Sequence, residues 1–377
     1  MNTVNTTLGT WSELFMLMAA LVYLCVFICF AWDMASHSRT LAQAERTAEG
    51  HRSTERTRQL VGAAGGSDAM AASAAAGTAG PGPGTDRDER NDAGAGQRAG
   101  GWRTTGTSEL AGEVADPKMA YRSSERRPAA RAALVLMVLA FVVHLAAVVM
   151  RSVAAGRVPW GNMYEFSTTS ALIIAGIYLV LLIRRDLRFV GVLISGLVTL
   201  LLTMATIAYP TPVSPLQPAL QSYWLVIHVS IAVAASAIFA VTAAMAVLQL
   251  VQDRRERRIL TGGEPGWAFM RSVPSAKVLE NFSYRLNSVG FVFWTFTLAA
   301  GAIWARDAWG RYWGWDPKEV WTFVIWVVYA AYLHARATRG WTGTRSAWLS
   351  IAGFLCVLFN YFIVNTLFEG LHSYSGL

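Results

Sequence analysis

Cysteine is nearly absent: Cys25, Cys29 and Cys356 are the only three in 377 residues, and each sits inside an apolar run. Packing in lipid or between helices is the expected use of such residues. No CxxC occurs, which excludes a thiol–disulfide motif and a covalent haem attachment site of the CxxCH kind. Charge is also scarce, at 15% of residues, where an ordinary soluble domain carries about 25%. There is no Walker loop, no GxGxxG after a strand, no GxSxG and no internal repeat. Nucleotide hydrolysis and a nucleophile-elbow hydrolase are therefore unsupported.

What fills the chain is long apolar sequence. The hydrophobic fraction is 54%, and eight stretches are long enough, or nearly so, to cross a bilayer, at roughly 13–33, 132–150, 167–183, 189–208, 223–251, 286–305, 319–337 and 347–367. The first has Glu13 and no Lys or Arg before it, and no cleavage site after it. It is expected to be a membrane span, not a removed signal peptide. The net charge of +8 would suggest nucleic acid in a soluble protein. Here it reports topology, and no nucleic-acid partner is expected. With the N-terminus outside, the short inner loops hold thirteen Lys and Arg against five in the outer segments, as the positive-inside rule requires. The expectation is an all-α polytopic membrane protein in the plasma membrane, with about eight transmembrane helices, N-out and C-out.

Three regions are expected: residues 1–33 as the first transmembrane helix, 34–131 as a long disordered cytoplasmic linker, and 132–377 as a seven-helix membrane domain. The middle of the linker, rich in Gly, Ala, Asp and Arg, has too few bulky apolar residues to offset its chain entropy. Thr40–Leu60 contains helix formers that could extend the first span. His37 and His51 lie there and read as solvated bystanders.

The segment WARDAWGRYWGWDPKEVW, residues 304–321, holds five tryptophans in eighteen residues. Interfacial anchoring uses one or two per helix end. The excess, with Gly310 and Gly314 between the indoles, suits a flat, π-rich ligand approached closely by backbone, and a porphyrin is the obvious candidate. Asp316, Pro317 and Glu319 form a helix-start signature with an Asp cap. Two histidines fall on the same outer side: His228, near the outer end of the fifth span, and His372, just past the eighth. Two imidazoles there can supply both axial ligands of a haem iron. His334 lies toward the inner end of the seventh span, and an ionisable group within a span is a functional candidate. His144, in the second, either hydrogen-bonds a neighbouring helix or ligates. Arg151 and Arg157, in the first large outer loop, either pair with Glu165 or meet propionates. The loop YPTPVSPLQPALQS is stiffened by four prolines and suits a wall or lid.

Together WGRYWGWDPKEVWTFVIW, YLHARATRGW and LHSYS, in that order, resemble the WWD-domain haem-handling proteins, and among them the CcsA/ResC type of System II cytochrome c biogenesis. The likeness runs from about Ala130 to the C-terminus and includes RVPWGNMYEFS and LQSYWLVIHV. It implies that His228 and His372 ligate haem iron beside the WWD segment and that His334 binds haem on its way outward. It also implies that Trp309, Trp313, Trp315 and Asp316 cradle the porphyrin. Arg306 or Arg311 is expected at a propionate. The implied function is haem transport and presentation to apocytochrome c for thioether attachment, as a holocytochrome c synthase of haem-lyase type. Haem b is the transported substrate, and no catalytic side chain is expected beyond haem positioning. The implied partners are a separate ResB-type subunit, apocytochrome c bearing CxxCH, and membrane lipid. A haem exporter or chaperone without chemistry, and a structural membrane scaffold, are the alternatives. The long linker has no counterpart in the family pattern.

Overall fold

The computed structural model of the protein describes residues 5–74, 127–264 and 266–372. Eight helices are long and apolar enough to cross a membrane, and no strand occurs among the described residues. In chain order they are α1 (Thr6–Ala74), α2 (Pro128–Ala155), α3 (Met163–Arg184), α4 (Gly191–Ala208), α5 (Trp224–Leu260), α6 (Ala276–Trp309), α7 (Pro317–Arg339) and α8 (Thr344–Leu358). The eighth span continues through a π-helical turn, Phe359–Ile363, into α9 (Val364–Leu367). Every expected span has its helix. Several run past the apolar stretch, as α5 does through QDRRERRIL to Leu260, because Gln, Arg and Glu sustain a helix once it leaves hydrocarbon.

Helix α1 is extended in the same way. Its membrane-spanning part is Thr6–Gln43, but the helix continues to Ala74, so residues 34–74 of the expected linker are helical. Ala, Gln, Glu and Arg dominate the first half of that stretch. The remainder of the expected linker, 75–126, lies outside the described residues. The chain divides into two units, Met1–Arg39 with Gly112–Leu377, and Thr40–Ala111. The second is described only over residues 40–74.

Within the first unit α5 is central. It packs against α3, α6 and α8, and 67% of its apolar window is buried, against 17% for α7. Polar side chains join the helices, as expected where hydrocarbon gives no hydrophobic drive for association. Thr242 on α5 donates to Asn287 Oδ1 on α6 at 2.6 Å, and Asn287 donates to Ser350 Oγ on α8 at 3.1 Å. Trp294 Nε1 reaches the Thr322 carbonyl on α7 at 3.0 Å. At the opposite end of α7, Arg336 pairs with Glu280 and donates to Asn281 Oδ1 at 2.6 Å.

The loops at the other end of the bundle are held by Glu165. This carboxylate is fully buried and takes Arg151 at 3.1 Å, Arg157 at 2.7 Å and the Gly161 N–H at 2.8 Å. The two guanidinium groups then reach the proline-rich loop, at the Thr211 and Ser214 carbonyls, both at 2.7 Å. Of the two roles open to Arg151 and Arg157, pairing with Glu165 is the one observed. The α2–α3 loop and the proline-rich loop thereby become one rigid wall, with Trp160 and Leu220 in its apolar cluster.

Removing one partner of a buried pair leaves an uncompensated charge, at a cost of about 3–5 kcal/mol. Glu165→Ala is therefore expected to lower the thermal unfolding midpoint of the purified protein well beyond the effect of Glu13→Ala, whose half-exposed carboxylate lies 3.6 Å from Arg151. Equal, small shifts for the two variants would contradict the assignment of Glu165 as the tether.

Candidate functional site

The tryptophan segment is shorter as a connection than its sequence suggests. Trp304 and Trp309 belong to α6, and Trp321 belongs to α7. Only Trp313 and Trp315 stand in the turn between them. That turn is capped at both ends. Gly310 takes φ 74° and donates its N–H to the Arg306 carbonyl at 2.8 Å, a left-handed ending that glycine adopts without strain. Asp316 opens α7: its Oδ1 accepts the Lys318 N–H at 3.0 Å, and Glu319 Oε2 accepts the Asp316 N–H at 3.1 Å. The capping box read from the sequence is present. Glu319 Oε2 also accepts the Gly314 N–H at 2.8 Å. Trp315, with φ 60°, is the one non-glycine at positive φ among the described residues, a conformation that costs roughly 1–3 kcal/mol. It is 76% exposed.

The Asp316 carboxylate has a second set of partners from the far end of the chain. Its Oδ2 accepts the Leu371 N–H at 2.7 Å, and its Oδ1 lies 2.9 Å from His372 Nδ1. Burial favours the protonated carboxyl. The His372 hydrogen bond and charge, with the Leu371 and Lys318 N–H groups, oppose it and hold the carboxyl below its usual range. A carboxylate at Nδ1 fixes a proton there and makes Nε2 the nitrogen suited to a metal. Trp309 meets the same imidazole edge-on, with ring centres 4.7 Å apart.

His228 approaches from α5. Its ring stands edge-on to Trp304 at 5.6 Å and lies on the backbone of α6 at Gly301, where an added Cβ would fall 2.8 Å from Cε1. Its Nδ1 is buried. His228 and His372, 144 residues apart in sequence, line one cavity of about 260 Å³ together with Trp160, Trp304, Trp309 and Trp313.

Other expected residues stand elsewhere. Trp315 and Asp316 flank the cavity without lining it. Arg306 is exposed, with its guanidinium 5.8 Å from the Tyr312 ring. Arg311 lies over Gly314 and 3.6 Å from Glu319, so neither arginine reaches the cavity lining. His334 is exposed on α7, two residues from the inward-turned Arg336. His144 is fully buried, edge-on to Tyr23 at 5.8 Å and apart from the cavity. Lining residues with no sequence signal of their own include Gly301, Thr297, Asn360 and Asn365. Lys318 also lines the cavity, and it was legible only as part of the helix start.

The family model for "Cytochrome C assembly protein" matches residues 139–372. The chain is 36% identical over 242 residues to the cytochrome c biogenesis protein CcsA of Guillardia theta, covering 60% of this chain and 80% of that one. It is 35% identical over 274 residues to CcsA of Synechococcus sp. (strain JA-3-3Ab), covering 60% and 80%, and 36% identical over 265 residues to CcsA of Prochlorococcus marinus (strain MIT 9303), covering 64% and 83%. Among solved structures, cytochrome c haem lyase CcmF matches with a TM-score of 0.46 at 20% identity, over 67% of this chain and 44% of that one, a likeness too loose to inform function.

The Asp316 tether has a local consequence. Asp316→Asn keeps a good N-cap but loses the charge that holds Leu371 and His372. Hydrogen exchange at the Leu371 amide is expected to quicken about tenfold or more in that variant, while the amides of the first turn of α7 keep their protection. Unchanged exchange at Leu371 would show that the 370–372 segment is held by something else.

Proposed function

Since the chain belongs to the cytochrome C assembly protein family, as a CcsA-type protein of System II cytochrome c biogenesis, we propose that it carries haem across the membrane and presents it to apocytochrome c as one subunit of a cytochrome c synthase. The single observation that supports this is the convergence of His228 and His372 on one cavity walled by indoles. The site lies at the extracytoplasmic face of the plasma membrane, and residues 132–377 form the haem-handling domain. The separate partner is of the ResB type.

In this mechanism the substrate is haem b, with its iron held between His228 and His372. Nε2 of His372 is the ligating atom, because Asp316 occupies Nδ1. Trp309 and Trp313 cover the macrocycle. Trp315 and Asp316 act from outside the pocket, the first as a roof at the turn and the second by fixing the imidazole. The apocytochrome then presents CxxCH. Each thiol adds across a vinyl group: the S–H bond breaks, a C–S bond forms at one vinyl carbon, and the hydrogen ends on the other. No electrons enter or leave, and no side chain of this chain need act as nucleophile or base. Its contribution is to hold vinyl against thiol, where effective molarity supplies the rate. The apocytochrome histidine replaces one of the two imidazoles on iron and releases the product. His334, exposed on the least buried span, suits an inner site completed by an imidazole of the partner.

The test is an absorption spectrum of the purified complex with its partner, followed by reconstitution with haem and reduced apocytochrome. His228→Ala and His372→Ala are each expected to lower haem occupancy and covalent product at least about tenfold, and added imidazole is expected to restore the spectrum. Haem binding without covalent product in the wild-type complex would make the chain a carrier. A double variant with wild-type spectrum and product would remove iron ligation from the account.

A further inference from the structure

Among the described residues, Lys318 is the only lysine or arginine that lines the cavity, and its ammonium hydrogen-bonds no carboxylate. Of the two carboxylates beside it in sequence, Asp316 acts on it through its charge alone, and Glu319 lines the same cavity. Asp316 takes the Lys318 backbone N–H, Leu371 and His372, and Glu319 serves Gly314, Asp316 and Arg311. The Lys318 ammonium turns instead to the π-helical end of the eighth span, donating to the Asn360 carbonyl at 3.1 Å and to Asn365 Oδ1 at 2.5 Å. Both acceptors are neutral. An ammonium hydrogen-bonded to neutral acceptors in an apolar cavity recovers less of its desolvation cost than one bonded directly to an anion.

A second observation lies beside it. Asn360 is 6% exposed and lines the cavity, and its Oδ1 has no hydrogen-bond partner. Rotation of that amide by half a turn exchanges acceptor for donor. Ammonium and amide together then offer donors to one anionic oxygen pair. The backbone makes room for this, since the π-turn is an irregularity of the kind found at functional sites.

From these contacts we infer that Lys318, assisted by Asn360, anchors a carboxylate of the porphyrin in this cavity and so fixes which edge of the ring faces the histidines. The inference rests on the proposed haem site. It assigns to Lys318 the propionate contact that the sequence suggested for Arg306 or Arg311, neither of which reaches the lining. Anchoring one edge sets the rotation of the macrocycle about the iron axis, which two imidazoles alone leave open. The vinyl edge is thereby presented to incoming thiols in one orientation.

The experiment compares haem with its dimethyl ester, in which both carboxylates are blocked and iron and ring are unchanged. Each is titrated into the purified complex and followed by the Soret band. Wild type is expected to prefer haem about 10–100-fold, the worth of a charge-assisted hydrogen bond. Lys318→Met is expected to cut that preference at least about tenfold, and Lys318→Arg to keep most of it. Should Lys318→Met not purify folded, Lys318→Gln carries the same comparison. A preference for haem that survives loss of the cation, or no preference in wild type, overturns the assignment while leaving iron ligation intact. Absence of a Soret band with either porphyrin in wild type overturns the haem site itself, and this inference with it.

Discussion

A carboxylate at the mouth of an apolar bundle must be surrounded by donors to stay ionised, and Asp316 gathers them from two distant parts of the chain. Its own helix supplies the Lys318 N–H, and the C-terminal segment supplies the Leu371 N–H and the His372 ring. One group therefore starts α7 and closes the chain onto it. Local and long-range demands coincide here: the cap would exist in an isolated peptide, but its spare oxygen capacity recruits a residue 56 positions away. A cap made by serine or threonine would start the helix about as well and offer no negative charge to an imidazole. Capping and orienting meet at this residue, and asparagine in its place would keep the first while losing the charge that serves the second.

The cavity walls obey the same constraint of scarce polar groups in a poor solvent. Glu165 binds two loops by collecting two guanidinium groups. Asn287 joins three helices through Thr242 and Ser350. In each case a buried polar side chain is satisfied by elements remote in sequence, so that moving one wall would strand a charge or a donor. Such strandings cost about 1–3 kcal/mol for a buried hydrogen-bonding group and about 3–5 kcal/mol for one partner of a buried ion pair. The site is thus framed by groups that resist displacement, while its interior is lined largely by rings and aliphatic chains.

The spans and the helix start at Asp316 were legible because they obey local rules, hydrocarbon thickness and capping chemistry. His228 and His372 were legible as candidates through side and chemistry, although nothing in their spacing could reveal that they share a cavity. Arg151, Arg157 and Glu165 left two roles open, because a salt bridge and a ligand contact use the same residue types. The continuation of α1 to Ala74 was hinted at by composition but has no apolar period to mark it. Gly301 and the π-turn at Asn360 carried no signal. A glycine within an apolar helix looks like packing, and a π-turn depends on tertiary contacts such as Tyr361 with Ser167. Lys318 was hidden by its neighbours: a lysine at a helix start beside aspartate and glutamate looks like a solvated ion pair, and only the folded chain turns its ammonium to Asn360 and Asn365.

Buried polar atoms in native proteins are satisfied with few exceptions, and the buried side-chain atoms without a hydrogen bond include Asn360 Oδ1 at the cavity and Tyr23 and Ser283 away from it. The Lys318 ammonium hydrogen-bonds neutral acceptors. Both Asn360 and Lys318 line the cavity, as His228 does. Trp315 adds backbone strain at its rim. The carboxylates of Glu165 and Asp316 each collect several donors. Under the proposed haem site, an iron porphyrin with carboxylate side chains would meet an imidazole, an ammonium with its neighbouring amide, and the indole walls together, so groups drawn from α5, α7 and the end of the eighth span would be engaged in a single binding event.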